Sequence, residues 1–133
     1  MNIWIGIAVA AAAGFVIGGL WYGPLFGKTW MAARGVTPQS AKDGMNMPLI
    51  FGITFLLNLW MAFMLVHLFG TYDTEVSPHH KLVIAGIAVL GFVIPAMGVN
   101  FLFSRLSLRL FAIDAGYWLV NFLAMGWILG LLH

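Results

Sequence analysis

Four long apolar stretches, separated by short polar segments, organise the 133-residue chain. They cover residues 3–22, 48–69, 81–104 and 110–132, and each reaches the roughly 20 residues that a helix needs to cross a bilayer core. Apolar and polar residues do not alternate along any stretch, which disfavours the strands of a membrane barrel. The pattern predicts an all-α fold, a single-domain integral membrane bundle of four transmembrane helices over residues 1–133.

Composition strengthens this prediction and excludes several function classes. Hydrophobic residues make up 62% of the chain and charged residues 8%, whereas soluble domains average about half and about a quarter. Six basic and four acidic residues are too few and too scattered for a nucleic-acid footprint. The chain has no cysteine, which excludes disulfides, thiolate metal sites and cysteine nucleophiles.

The basic residues predict how the bundle is oriented. The first and third connections hold Lys28, Arg34, Lys42, Arg105 and Arg109, and the opposite side holds only Lys81. Short cytoplasmic connections are enriched in lysine and arginine. We therefore expect the first and third connections in the cytoplasm and both termini outside it.

The stretch GGLWYGPLFGKTWM over residues 18–31 contains the Gly-Lys-Thr of a phosphate-binding loop. That motif needs a glycine where this chain has Tyr22, and it follows a strand. Here Gly23 lies one residue too close to Gly27, and a membrane helix precedes it. We therefore expect no nucleotide partner.

The same stretch suits the exit of a helix from a membrane. Trp21, Tyr22 and Trp30 have amphipathic rings that suit the headgroup level, and the Lys28 charge can extend to lipid phosphates. Pro24 cannot continue a helical hydrogen-bond ladder. We expect these four aromatic and basic residues to anchor the chain at the interface, with a short interfacial helix after the first span.

The run WYGPLFGKTW over residues 21–30, the segment IDAGY over 113–117 and Met125-Gly126 resemble the domain of unknown function 1761 family of small bacterial membrane proteins. The resemblance covers most of the chain. It implies a four-span fold in the bacterial inner (cytoplasmic) membrane, with the lipid bilayer as partner, and it brings no established activity.

Small residues recur every fourth position along the first span, at Gly6, Ala10, Gly14 and Gly18. A second pair, Gly126 and Gly130, lies on the last span. Such faces allow close approach of another helix backbone. The neighbour is either a helix of the same chain or a second copy in a homo-oligomer, of which a dimer is favoured.

Asp114 is the acidic residue within a predicted span. Asp114 and Asn121 lie within about 20° of each other on the helix, with Tyr117 beside them. An intramembrane carboxylate costs at least about 2.5 kcal/mol at the bilayer centre, so it should face protein or water. Asn58 and Asn100, from the second and third spans, complete the candidate polar site.

Asp114 has two candidate roles. Arg105 and Arg109 lie close in sequence, and an ion pair with either would lock the hairpin between the last two spans. Alternatively, Asp114 binds a proton or cation in a cavity with Asn121 and Asn100.

The third span should be kinked. Pro95 lies in its middle and frees the carbonyl of Gly91 from the helical ladder. Asn58, at a similar depth in the second span, is a candidate donor to that carbonyl.

Histidines gather at the predicted outer face. His67, His79, His80 and His133 fall there together with Asp73 and Glu75. Imidazole and carboxylate groups bind transition metals, but His79 and His80 are adjacent in a loop without a ligand spacing. Solvated side chains are the favoured interpretation, and we expect no metal and no cofactor.

The sequence thus leaves two functions open. The first is transport or permeation of a small solute or ion by a homo-oligomer, and the second is a structural or assembly subunit that binds another membrane protein. An enzyme is not expected, and no catalytic residue is predicted, because Ser104 and Ser107 have no histidine near them to act as a base.

Overall fold

The computed structural model describes residues 2–37, 46–70 and 77–132. All regular secondary structure in these residues is helical. Four of the helices are long and apolar enough to cross a membrane: Ile3–Leu25, Met47–Gly70, Pro78–Phe103 and Leu108–Leu132. The described part of the chain has no strand. The predicted all-α fold with four membrane-spanning helices is therefore confirmed.

The first span changes its winding before it ends. Helix α1 (Ile3–Leu20) begins at Asn2, whose side chain accepts a hydrogen bond of 2.9 Å from the Trp4 amide. A π-helical turn comes next at Trp21–Leu25, and it contains Pro24. Proline has no N–H for the regular ladder, and the Phe26 amide donates five residues back to the Trp21 carbonyl at 2.8 Å.

A short helix, α2 (Gly27–Arg34), comes after this turn and ends at Gly35, which has a left-handed φ of 73°. Glycine adopts this conformation at helix ends without steric cost. A short helix therefore lies where the sequence pattern predicts one. Its location in a membrane interface stays a prediction.

The second span is one unbroken helix, α3 (Met47–Gly70). The third is divided into α4 (Pro78–Ala88), a second π-helical turn (Val89–Val93) and α5 (Ile94–Phe103). Pro95 lies just after that turn, so the irregularity expected near this proline is present as a π-helical turn. Asn58 does not bind the freed carbonyl, because its side chain bonds elsewhere.

Helix α6 (Leu108–Leu132) lies at the centre of the bundle. It packs against α1 and against α4, and α3 packs on α1. The buried hydrophobic core joins all four spans through Ile7, Ala10, Ala62, Leu65, Phe69, Ile84, Ala85, Val89, Phe122, Met125 and Leu129. The last span is therefore the element around which the other three are arranged.

Both small-residue faces pack inside the chain. A Cβ placed on Gly6 would lie 3.7 Å from Leu129, and one on Gly18 would lie 3.1 Å from the Tyr117 hydroxyl, so this face of α1 lies on α6. A Cβ placed on Gly130 would lie 3.1 Å from the Pro78 Cα, so the face with Gly130 lies on the start of α4. An oligomer contact would therefore have to use other surfaces of the described chain.

Candidate functional site

The π-helical turn after α1 aims two aromatic side chains at consecutive residues of α6. Trp21 donates from its indole nitrogen to the Ile113 carbonyl at 2.9 Å. The Tyr22 hydroxyl donates to the Asp114 carboxylate at 2.6 Å. A hydrogen bond to an ionised acceptor is short and about twice as strong as a neutral one. The turn therefore fastens the end of the first span to the fourth.

The indole of Trp21 is seated on a glycine. A Cβ on Gly116 would lie 3.0 Å from the Trp21 ring, which is tighter than ordinary side-chain contacts. The Phe26 ring covers the indole further, with ring centres 4.7 Å apart. Gly116 thus gives Trp21 the space to reach the backbone of α6.

Deeper in the bundle, a second polar layer joins α1, α3 and α6. Tyr117 donates its hydroxyl to the Gly14 carbonyl at 3.1 Å. Asn121 donates from its amide to Asn58 Oδ1 at 3.1 Å, and Asn58 donates to the Thr54 carbonyl at 3.1 Å. Both asparagines are completely buried. Because buried polar groups are costly unless hydrogen-bonded, this pairing favours one arrangement of the three helices.

One atom of this layer is left without a partner. The Asn121 Oδ1 atom is buried and accepts no hydrogen bond within the described structure. It lies against Gly14, where a Cβ would overlap it and would also lie 3.0 Å from Asn58 Oδ1. Gly14 is therefore the position at which α1 admits the two amides.

The structure brings most of the predicted polar site together. Asp114, Tyr117, Asn121 and Asn58 lie along the side of α6 that meets α1 and α3. Asn100 is exposed on α5 and makes no hydrogen bond with them. The expected cavity of Asp114 with Asn121 and Asn100 is therefore not formed by these three residues together.

The partner of Asp114 differs from the sequence expectation. Arg105 and Arg109 are exposed, and in the described structure neither pairs with Asp114. The partner of Asp114 is instead Tyr22, which lies 92 positions away in the sequence. The sequence signal for it is the Trp-Tyr pair ahead of Pro24, which by composition suits the headgroup level equally well. Tyr22 also continues the four-residue spacing of Gly6, Ala10, Gly14 and Gly18, the face of α1 that packs on α6, so this spacing was a sequence signal for the contact.

Among the other predicted anchors, Trp30 packs edge to face on the Tyr22 ring, with ring centres 6.0 Å apart. Lys28 is exposed, and the Arg34 guanidinium lies 5.3 Å from the centre of the Trp30 ring. His79 and His80 are exposed at the start of α4. Among the described residues, no group of three or more His, Asp or Glu side chains could hold a metal ion. The predictions for Lys42, Asp73, Glu75 and His133 concern positions outside the described residues.

A cleft of about 600 Å³ opens between α1, α3 and α6, beside Tyr22. Its lining is mainly apolar and consists of Phe15, Gly18, Gly19, Tyr22, Gly23, Met47, Ile50, Phe51, Thr54, Tyr117 and Trp118. Small-molecule sites typically have volumes of about 300–1,000 Å³ and mostly apolar walls with a few polar groups. The cleft can hold a small, largely apolar molecule, and Tyr22, Thr54 and Tyr117 are the residues of its lining that carry a hydroxyl.

A double-mutant cycle tests the bond between Tyr22 and Asp114. Tyr22→Phe and Asp114→Asn should each destabilise the protein, with a coupling energy of about 1–2 kcal/mol, because the first removes the donor and the second replaces the carboxyl acceptor with an amide. The measurement is the free energy of unfolding in mixed micelles. Ser107→Ala is the control. It removes a cap of α6, the bond from the Leu110 amide, but no bond to Asp114, so its effect should add to that of Tyr22→Phe without coupling. Additive effects of Tyr22→Phe and Asp114→Asn would contradict the assigned bond.

Comparison with known proteins identifies the family of this chain and assigns no activity to it. The family model described as "Protein of unknown function (DUF1761)" matches residues 5–130. No curated protein and no solved structure matches the chain. The match spans all four apolar helices, the Tyr22–Asp114 pair and the buried asparagines. The chain belongs to the DUF1761 family.

Proposed function

We propose that this multi-pass membrane protein binds a small, largely apolar solute in the cleft between α1, α3 and α6 and carries it across the bilayer. The observation that carries the proposal is the cleft itself, about 600 Å³ in volume and lined by three spans. The three helices expose large apolar side chains such as Val16, Leu56 and Val120, as a lipid-facing surface would, so we expect a solute dissolved in the membrane to enter the cleft from the side. Tyr22, whose hydroxyl is held by Asp114, is one of the polar residues that line it.

Oligomerisation and orientation belong to the same proposal. Four spans are few for a complete permeation path, so we infer a homo-oligomer, with a dimer favoured. The surface for that contact is not the small-residue face of α1, which packs on α6. We place the protein in the bacterial inner membrane with both termini outside the cytoplasm, on the distribution of basic residues. The proposal assigns no catalytic chemistry to the chain.

Filling the cleft tests the proposal. Gly19 lines it, and a Cβ there would meet no other atom within 4 Å. Gly19→Leu should therefore reduce flux through proteoliposomes by about tenfold, since overfilling a binding space costs about 1–3 kcal/mol. The measurement is protein-dependent uptake of two small aromatic dyes, cationic ethidium and anionic anilinonaphthalene sulfonate.

Gly52→Leu is the matched control. Gly52 lies on α3, also has no atom within 4 Å of a Cβ, and does not line the cleft. It should keep the flux of the unmodified protein. Equal flux from Gly19→Leu and Gly52→Leu, or uptake no faster than in empty liposomes, would contradict the proposed transport.

A second function is favoured by the polar layer. Asp114, Tyr117, Asn121 and Asn58 bond to other groups of the same chain, as they would in a structural or assembly subunit that binds another membrane protein. That role requires a stable partner after gentle detergent extraction. It also requires that Gly19→Leu, which leaves the helix contacts intact, does not reduce the amount of partner that stays bound after extraction.

A further inference from the structure

The turn between α5 and α6 places a charged residue in a conformation that favours glycine. Arg105 has a φ of 57° and is the non-glycine residue with positive φ among those described. It lies just beyond the end of α5, where the Arg105 amide donates to Leu102 and the Leu106 amide donates to Phe101, at 3.2 and 3.1 Å. Glycine is the usual residue at this position of a helix end. An arginine here strains the backbone, and such strain is found at functional sites.

The charge of this turn is not compensated nearby. Arg105 and Arg109 are both exposed and form no ion pair within the described structure. Asp114, the carboxylate closest to them in sequence, accepts the hydrogen bond from Tyr22. Ser107, between the two arginines, is occupied in capping α6. Two guanidinium groups therefore lie where the third span ends and the fourth begins, and both are available to an anion from outside the chain.

An apolar groove adjoins the same turn. It has a volume of about 280 Å³ and is lined by residues of α5, α6 and the turn, mainly Gly98, Phe101, Leu102, Leu106, Leu108 and Phe111. Phe101 and Phe111 pack edge to face within it, with ring centres 5.4 Å apart. Its lining includes Leu106 of the turn and Gly98, which lies five residues before the end of α5. A hydrocarbon chain fits such a surface.

We propose that the arginine turn and this groove form a binding site for an anionic phospholipid. The phosphate group binds Arg105 and Arg109, because a guanidinium presents paired donors that match phosphate oxygens. One acyl chain lies in the groove between α5 and α6. The site gives the strained Arg105 a use that glycine could not supply, and it is separate from the cleft between α1, α3 and α6.

The test compares two lipids that share acyl chains and differ in charge. Purified full-length protein in a neutral maltoside detergent is titrated with phosphatidylglycerol or phosphatidylcholine, and bound lipid is counted by native mass spectrometry alongside the thermal midpoint. Phosphatidylglycerol should bind more tightly and raise the midpoint more. Arg105→Gly and Arg109→Gln should each weaken phosphatidylglycerol binding by about fivefold, the contribution of one basic residue near an anionic lipid.

Arg105→Gly has a second expected result that separates lipid binding from folding. Without lipid, its thermal midpoint should rise, because glycine relieves the left-handed backbone. Arg34→Gln, which removes an exposed charge from α2, should leave phosphatidylglycerol affinity unchanged.

Three outcomes would overturn the site. Phosphatidylcholine could bind as tightly as phosphatidylglycerol, Arg105→Gly could keep full affinity, or Arg34→Gln could weaken binding as much as Arg105→Gly does. Glycerol phosphate, which has no acyl chain, should raise the midpoint far less than phosphatidylglycerol. An equal rise would overturn the part of the proposal that places a chain in the groove.

Discussion

Gly14→Leu is expected to destabilise the protein by about 3 kcal/mol or more, the upper range for overfilling a packed interior. Its Cβ would overlap Asn121 Oδ1 and lie 3.0 Å from Asn58 Oδ1. The added side chain would force α1 away from both amides and break the hydrogen bond between them. The measurement is the free energy of unfolding by dodecyl sulfate titration in mixed micelles, monitored by near-ultraviolet circular dichroism.

Gly19→Leu is the control for this change. Gly19 lies on the same helix, five residues further on, and a Cβ there would have no neighbour within 4 Å. Its free energy of unfolding should stay within about 0.5 kcal/mol of the unmodified protein, as is usual for changes away from packed features. If both leucines destabilise equally, the close approach of the amides to Gly14 is wrong. An intact Gly19→Leu fold also makes its effect on flux interpretable.

Gly126→Ala is expected to cost about 1–3 kcal/mol, again from overpacking. The new Cβ would lie 2.8 Å from the Ala85 Cβ and 3.3 Å from the Lys81 carbonyl. Neither atom is the end of a flexible side chain, so the helices α4 and α6 must separate. The same unfolding titration measures the loss.

Two matched variants support the interpretation of Gly126→Ala. Gly86 lies on α4, where a Cβ would be 3.6 Å from the flexible end of Leu123. Gly86→Ala should therefore leave the free energy of unfolding nearly unchanged. Combining Gly126→Ala with Ala85→Gly should recover part of the lost stability, because the tightest contact is removed. A double variant less stable than Gly126→Ala alone would argue against this contact.

The four spans could be predicted from sequence because the length of an apolar run is a local property. The neighbour that each buried face meets could not, since spans that are apolar on nearly every side carry little to distinguish one neighbouring helix from another. The small-residue face of α1 illustrates this limit. Its spacing predicts close contact with a helix, but the choice between α6 and a second copy depends on how the whole chain is arranged.

Part of the polar site could also be predicted from the sequence. Helical periodicity places Asp114, Tyr117 and Asn121 on one side of the last span, and the structure keeps them there. Proximity along the chain favours Arg105 or Arg109 as the partner of Asp114, whereas the partner is Tyr22. Tyr22 lies four residues after Gly18, on the face of α1 that packs on α6, but 92 positions separate it from Asp114, so closeness along the chain does not favour it.

The turn at Trp21–Leu25 also makes chain length critical in that segment. A residue inserted or deleted immediately before Trp21 would rotate Trp21 and Tyr22 by about 100° around the helix axis relative to the rest of α1. Trp21 and Tyr22 could then no longer meet Ile113 and Asp114 together. We therefore expect homologous chains to vary in residue type here more readily than in the number of residues.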